Sequence, residues 1–133
     1  MGCLETHPSM SVVVGFGWRS GASSATALAL LRTVMGHYAV QKLDMLALPD
    51  FKQHDRVAQE LTLRCGMDVV WVTKQSMSVV QPLCLTYSAS VAQKVGVASV
   101  AEACALVVAG AGGRLYGPRM VQGGVTCALA QGV

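Results

Sequence analysis

The stretch from Val12 to Ser23 constrains the fold more than any other part of the sequence. It reads V-V-V-G-F-G-W-R-S-G-A-S, a β-branched run followed by glycines and one arginine. Three β-branched residues in a row are typical of a strand covered on both faces, and we expect this strand over residues 11–17. Ser23 is a suitable N-cap for a helix over about 24–35, with Gly36 as its stop. A strand, a tight turn and a helix in this order indicate an α/β protein.

The glycine-rich turn also favours a binding site for an anion. Gly15, Gly17 and Gly21 can adopt backbone angles that other residues avoid, and they let a ligand approach the main chain. The helix N-terminus behind the turn presents free N–H groups, and Arg19 adds a cation with a bidentate fork. The spacing G-x-G-x-x-x-G is one residue longer than the dinucleotide motif, and the G-K-[ST] ending of a P-loop is absent. A purely conformational role for these glycines is an equal alternative.

The rest of the chain continues the alternation of strands and helices. The further predicted strands are short and apolar, at about residues 43–48, 67–73, 114–116, 120–122 and 125–130. A helix ends before Gly66, another is predicted over residues 88–95, and the next opens at Ser99, where S-V-A-E has the pattern of a capping box. These elements predict one α/β domain over residues 11–133 with a mixed, mainly parallel sheet, preceded by a flexible N-terminal extension over 1–10.

Three positive charges follow the predicted parallel strands. Arg19, Lys52 and Lys74 each lie in the loop after a strand, and the carboxyl ends of parallel strands meet at one edge of the sheet. Ligands of open α/β sheets bind at that edge. The sequence therefore predicts that these side chains converge.

Composition excludes several classes of function. Charged residues make up 13% of the chain, against about 25% in a typical protein, and the net charge is +3 without a basic stripe, so we expect no nucleic-acid binding. No apolar run approaches the roughly 18 residues of a membrane span. The N-terminus lacks the pattern of a signal peptide, and the five cysteines are scattered without C-x-x-C spacing. We therefore expect a cytoplasmic protein with reduced thiols, no metal site and no cofactor.

The low charge of the helices leaves two explanations open. Their faces carry alanine, serine and valine where solvated helices usually carry lysine and glutamate. An alanine-rich genome would produce this composition, and so would faces buried in a homo-oligomer.

Four segments of the chain resemble the CobE/CbiG C-terminal family of cobalamin (vitamin B12) biosynthesis. They are G-F-G-W-R-S-G from Gly15, D-F-K from Asp50, G-V-A-S-V-A-E-A from Gly96 and G-G-V-T-C-A-L-A from Gly123. The resemblance covers about residues 11–131 and implies a three-layer α/β/α sandwich. Two-domain members open the δ-lactone of a cobalt-containing corrinoid precursor and release acetaldehyde. This chain is similar to the stand-alone form of the oxygen-dependent route, which has no settled reaction, and a shared domain does not transfer the hydrolase activity.

The resemblance implies a ligand that is a tetrapyrrole-derived ring with acetate and propionate arms. Cations at the edge of a site and apolar surface for the ring would suit it. The candidate substrate-binding residues are Gly15, Gly17, Trp18, Arg19, Gly21, Lys52, Arg119, Gly123, Gly124 and Thr126. In this set Arg19, Lys52 and Arg119 contact carboxylates, and the glycines allow close backbone approach. Trp18 either covers a ring face or packs against the next helix or an oligomer interface, since its place between two turn glycines does not favour an ordinary core position. Members of the family tend to carry a lysine near Arg119, and arginine keeps its charge but not its titratable amine.

Three functions are consistent with this sequence. The first is a carrier or accessory protein that binds a precorrin or corrin intermediate. The second is a hydrolase acting on a corrinoid precursor, for which Asp50 and Asp55 are candidate bases, although capping of the following helix explains Asp55 as well. The third is a docking partner of a pathway methyltransferase. Ser99 and Glu102 are assigned to the capping box, and catalytic residues are not identified.

Overall fold

The β-branched run near the start of the chain forms a central strand of a mixed sheet. The structure, a computed structural model, describes residues 11–88 and 99–133. The strands and helices in chain order are β1 (Val12–Trp18), α1 (Ser24–His37), β2 (Met45–Pro49), α2 (Arg56–Cys65), β3 (Asp68–Val72), α3 (Lys74–Val80), α4 (Val100–Ala109), β4 (Arg114–Leu115), β5 (Met120–Gln122) and β6 (Val125–Gln131). Short 3-10 turns follow β2 at Asp50–Lys52 and α3 at Gln81–Leu83.

The six strands form one sheet in the order β3-β2-β1-β6-β4, with β5 also paired to β6. The pairs β1–β2 and β2–β3 are parallel, whereas β6 is antiparallel to β1, β4 and β5. Among the strands that the structure describes, β6 is therefore the one that is antiparallel to the other five. The mixed, mainly parallel sheet predicted from the sequence is confirmed.

Helices cover both faces of the sheet, which confirms the three-layer architecture. On one face, α1 and α2 bury large side chains such as Leu30 and Leu61 against Phe16 of β1 and Leu48 of β2. On the other face, α3 and α4 cover the sheet with smaller residues, among them Ala103 and Cys104. Alternate residues of β1 point to opposite faces, so Trp18 belongs to the α1–α2 face.

Two of the predicted turn glycines lie inside β1, beneath α4. A Cβ atom on Gly15 would overlap the carbonyl oxygen of Ala101 and lie 2.8 Å from the backbone nitrogen of Ala105. A Cβ atom on Gly17 would lie 2.8 Å from Oγ1 of Thr126. β1 extends through Trp18, one residue beyond the predicted end, so the turn begins at Arg19. Gly15 is needed for the close approach of α4 to β1, and Gly17 leaves room for the Thr126 side chain of β6. A sequence pattern does not distinguish such glycines from those of a turn.

One predicted helix boundary differs from the structure, one agrees with it, and one predicted helix lies almost wholly outside the described residues. α1 continues through Gly36 to His37, because Ala39 (φ 55°) takes the left-handed position after the helix. Gly66 (φ 63°) ends α2 as expected. The helix predicted over residues 88–95 lies almost wholly outside the described residues.

The capping box at the start of α4 is only half formed. Ser99 accepts a hydrogen bond from the backbone N–H of Glu102, as predicted. The Glu102 carboxylate does not serve as the second half of the box. It is fully buried and accepts backbone N–H groups of Leu85, Thr86 and Arg119 at 2.9 to 3.0 Å. Glu102 thus joins α4 to two connecting segments.

Candidate functional site

A cavity of about 370 Å³ opens where the β1–α1 turn meets the start of α2. It lies at the carboxyl end of β1, the edge at which ligands of α/β sheets bind. The chain lines it from two sides, with Trp18 to Ser24 on one and Asp55, Arg56, Val57 and Glu60 on the other. The site is therefore formed by the first two strand-to-helix connections.

Trp18 forms the floor of this cavity and links it to the loop after β2. Its side chain belongs to the core and is only 9% exposed. The indole Nε1 donates to Oδ2 of Asp55 at 3.0 Å, and the backbone carbonyl of Trp18 accepts from Nζ of Lys52 at 2.9 Å. Lys52 Nζ also lies 3.8 Å from Asp55 Oδ2 and 5.6 Å from the centre of the Trp18 ring. The tryptophan is thus fixed in place at the cavity lining.

Asp55 stands at the N-cap position of α2 but does not cap the helix. Its carboxylate accepts from Trp18, and the Asp55 side chain makes no hydrogen bond to the first-turn N–H groups of α2. The first N–H groups of a helix have no partner within the helix and carry a partial positive charge. Arg56 and Val57, in this turn, line the cavity.

Arg19 brings an exposed guanidinium group to the cavity. Its backbone N–H donates to the carbonyl of Gly124 at 3.0 Å, which joins the β1–α1 turn to the β5–β6 turn. Its side chain forms no ion pair or hydrogen bond with the residues of 11–88 and 99–133. Gly21 (φ 88°) shapes the same turn, and a Cβ atom there would meet nothing within 4 Å. The cation is therefore free to bind an anion.

The remaining predicted site residues lie near the cavity or behind the sheet. A Cβ atom on Gly123 would lie 2.9 Å from Cγ2 of Thr26 in α1, and one on Gly124 would lie 3.6 Å from Cγ of Arg19. Thr126 donates to the carbonyl of Gly17 at 3.3 Å, on the face covered by α4. The backbone of Arg119 is bonded to Glu102 of α4, also on that face.

Of the three cations predicted to converge, Arg19 lines the cavity, whereas Lys52 and Lys74 do not. The Nζ atom of Lys74 lies 4.9 Å from the centre of the Phe51 ring. The edge of the sheet is wide, and α3 starts at β3, two strands away from β1.

Sequence reasoning did not propose Ser24, Arg56 and Glu60, which form a bonded group of side chains in the cavity lining. Ser24 Oγ donates to Glu60 Oε1 at 2.6 Å, and Glu60 Oε2 lies 3.9 Å from Nε of Arg56. Ser24 and Glu60 are 36 positions apart. The sequence hinted at this pairing only through the predicted topology, which places the first turn of α2 at the same edge of the sheet as the turn after β1.

The described cysteines are thiols rather than thiolates. Burial raises the pKa of Cys65, Cys104 and Cys127, and burial together with the charge of Glu102 raises the pKa of Cys84 to about 11. Within residues 11–88 and 99–133, no group of His, Cys, Asp and Glu side chains is arranged to hold a metal ion. In the same residues, no helix combines the length and apolarity that crossing a membrane requires.

Comparisons with known proteins identify the family. The chain belongs to the family described as cobalamin synthesis G C-terminus, whose model matches residues 12–130. Its structure is similar to the crystal structure of CobE, a protein from the cobalamin (vitamin B12) biosynthetic pathway, with 28% identity and a TM-score of 0.87 over 94% of this chain and 92% of that one. It is also similar to cobalamin biosynthesis protein chiG from Agrobacterium tumefaciens, with 34% identity and a TM-score of 0.70 over 90% and 96% of the two chains.

A third solved structure shares the fold alone. It is a cobalamin biosynthesis protein G homologue from Sulfolobus solfataricus, with 14% identity and a TM-score of 0.64, and the match covers 92% of this chain and 36% of that one. No curated protein matches the sequence. The family and the first two structures make this chain a cobalamin biosynthesis protein of the CobE and CbiG C-terminal type.

Proposed function

We propose that this protein binds a polycarboxylate precorrin or corrin intermediate, as a carrier or accessory factor of the pathway. The observation that supports this most is Arg19, an exposed cation without a side-chain partner among the described residues, at the mouth of the cavity. A guanidinium group binds a carboxylate through two parallel hydrogen bonds. The acetate and propionate arms of the intermediate supply such carboxylates.

The charges around the cavity favour a contact with one arm of the ligand. Both acids of the lining are engaged, Asp55 by Trp18 and Lys52, and Glu60 by Ser24 and Arg56. Arg19 then remains as the cation that a ligand carboxylate can neutralise.

The cavity volume agrees with such a partial contact. The cavity volume of about 370 Å³ is at the low end of the volumes of ligand sites, which span roughly 300–1,000 Å³. An arm and one edge of the macrocycle enter the cavity, and the rest of the ring lies over the turn that contains Gly21. The Gly123–Gly124 turn borders this surface, because Gly124 is bonded to Arg19.

Titration with hydrogenobyrinic acid and cobyrinic acid tests the proposal. Binding is followed by the absorption spectrum of the ligand and by the tryptophan fluorescence of the protein, to which Trp18 at the cavity and Trp71 of β3 both contribute. Arg19→Ala removes a hydrogen bond between charged groups, worth about 1.5–3 kcal/mol, and is expected to raise Kd roughly 10- to 150-fold. Arg32→Ala is the matched control, because Arg32 is an exposed arginine of α1 outside the cavity lining.

Three outcomes decide between the candidate functions. Absence of binding, or equal weakening by both arginine variants, contradicts the proposal. A bound ligand of unchanged mass supports a carrier, whereas a new mass supports the hydrolase. Binding of a pathway methyltransferase without any corrinoid, together with no binding of either acid, supports the docking partner instead.

A further inference from the structure

A second arginine lines the cavity, on the side across from Arg19. Arg56 is the first residue of α2, whereas Arg19 lies in the β1–α1 turn, and these two connections form the two sides of the cavity. Lys52, the second cation that the sequence assigns to a carboxylate, is not part of the lining, and its Nζ atom is bonded to the carbonyl of Trp18. The cavity therefore has one arginine on each side.

The side chain of Arg56 retains hydrogen-bond donors for a further group. It is 88% exposed, and its Nε atom lies 3.9 Å from Oε2 of Glu60, which is longer than a hydrogen bond. The other oxygen of Glu60 accepts from Ser24 at 2.6 Å. Exposed ion pairs of this kind contribute little. Among the described residues, Glu60 is the one ion-pair partner of Arg56, and it faces Nε, so the two terminal nitrogens are free to bind a carboxylate.

The ligand of the proposed function carries carboxylates in neighbouring pairs. Most five-membered rings of a tetrapyrrole-derived macrocycle bear an acetate and a propionate arm on adjacent carbons. An arginine on each side of one cavity suits two such carboxylates, because each guanidinium group binds one of them. The first-turn N–H groups of α2, which Asp55 does not cap, add a partial positive charge beside Arg56.

We infer, on the basis of the proposed function, that Arg19 and Arg56 together recognise an adjacent acetate and propionate pair of the macrocycle. Arg19 binds the carboxylate of one arm. Arg56 binds the carboxylate of the neighbouring arm through its terminal nitrogens, while Nε stays beside Glu60. The site therefore discriminates against a ring edge in which a methyl group or a neutral amide replaces the acetate, because one guanidinium group then loses its partner.

Uroporphyrin I and coproporphyrin I test this pairing. Both are flat tetrapyrroles, and each pyrrole of uroporphyrin I carries an acetate and a propionate arm. In coproporphyrin I a methyl group replaces every acetate, and the propionates remain. The Kd of each porphyrin, and that of hydrogenobyrinic acid, is measured at one fixed salt concentration from the shift of the ligand's absorption band.

Arg56→Ala should weaken the binding of only those ligands that carry both arms. We expect it to raise Kd about 10- to 100-fold for uroporphyrin I and hydrogenobyrinic acid, since a hydrogen bond between charged groups is lost, and to leave the Kd of coproporphyrin I unchanged. Arg19→Ala should weaken the binding of all three. Arg64→Ala is the matched control and should change no Kd, because Arg64 is an exposed arginine in the last turn of α2, outside the cavity lining.

The outcomes separate this inference from the proposed function. If Arg56→Ala binds hydrogenobyrinic acid and uroporphyrin I as tightly as the unmodified chain, the inference is overturned and the binding role of Arg19 stands. If Arg56→Ala weakens both porphyrins equally, or if Arg64→Ala weakens uroporphyrin I as much, Arg56 contributes only its general charge and the inference is again overturned. Absence of binding of all three ligands contradicts the proposed function and this inference with it.

Discussion

Glu102→Gln tests the most unusual buried contact of the structure. The carboxylate is fully buried, and its two oxygens accept three backbone N–H groups. Oε1 accepts from Leu85 and Thr86, and Oε2 accepts from Arg119. Glutamine has the same shape, but its NH₂ group cannot accept, so at least one backbone N–H will face another donor.

The cost of Glu102→Gln follows from these contacts. One hydrogen bond to a charged group is lost, worth about 1.5–3 kcal/mol, and a buried donor is left unsatisfied at about 1–3 kcal/mol. We therefore expect the free energy of unfolding to fall by about 3–5 kcal/mol. Removing one partner of a buried ion pair typically costs the same amount, about 3–5 kcal/mol. At about 4 °C per kcal/mol for a chain of this size, Tm should fall by about 12–20 °C.

Urea unfolding followed by circular dichroism measures this change. Asp68→Asn is the matched control: it removes one negative charge from an exposed residue at the start of β3, and its effect should stay within about 0.5 kcal/mol. The capping box expected from the sequence would make Glu102→Gln cost only about 1 kcal/mol. A loss of 1 kcal/mol or less would therefore refute the role assigned to Glu102.

Two further predictions concern the face covered by α4. Gly15→Ala would place a Cβ atom against the backbone of α4 and should cost at least about 2 kcal/mol. Gly36→Ala, with nothing within 4 Å, should stabilise by up to about 1 kcal/mol; equal Tm values for the two variants would contradict the close approach. Cys84, whose pKa is raised to about 11 from 9.0, should react with iodoacetamide at pH 8 about a hundredfold more slowly than in the urea-unfolded chain. Because its folded pKa exceeds the unfolded one, Cys84 should make the protein less stable as pH rises from about 9 to about 11, and equal alkylation rates at pH 8 would disprove the shift.

The order of strands and helices could be predicted because its signals are local. The β-branched run starting at Val12 predicts β1, and β5 has the bounds that the sequence predicts. Gly66 ends α2 in the left-handed conformation that a glycine at this place indicates. Each of these features depends on a few neighbouring residues, so a single sequence contains the information.

The contacts between distant segments could not be predicted in this way. A glycine that makes room for a neighbouring element and a glycine in a turn look alike in sequence, and Gly15 and Gly17 belong to the first kind. The pattern S-V-A-E fits a capping box whether or not the glutamate turns back, and Glu102 instead bonds segments 16 and 17 residues away. Of the candidate site, Arg19 and Gly21 lie at the cavity as the local pattern indicates, whereas the pairing of Ser24 with Glu60 depends on tertiary structure.

Where α4 crosses β1 at Gly15, the contact contains no rotatable side chain, because Gly15 meets Ala101 and Ala105 there. Elsewhere in the core, leucine and phenylalanine can change rotamer and absorb a small displacement. Here a displacement of one element must move the backbone of the other, so we expect α4 and β1 to behave as one rigid body. Hydrogen exchange should then give their amides a common opening free energy. Because α4 carries Glu102 and β1 ends at the cavity, a disturbance of the Glu102 contacts should reach Arg19 as a movement of the main chain.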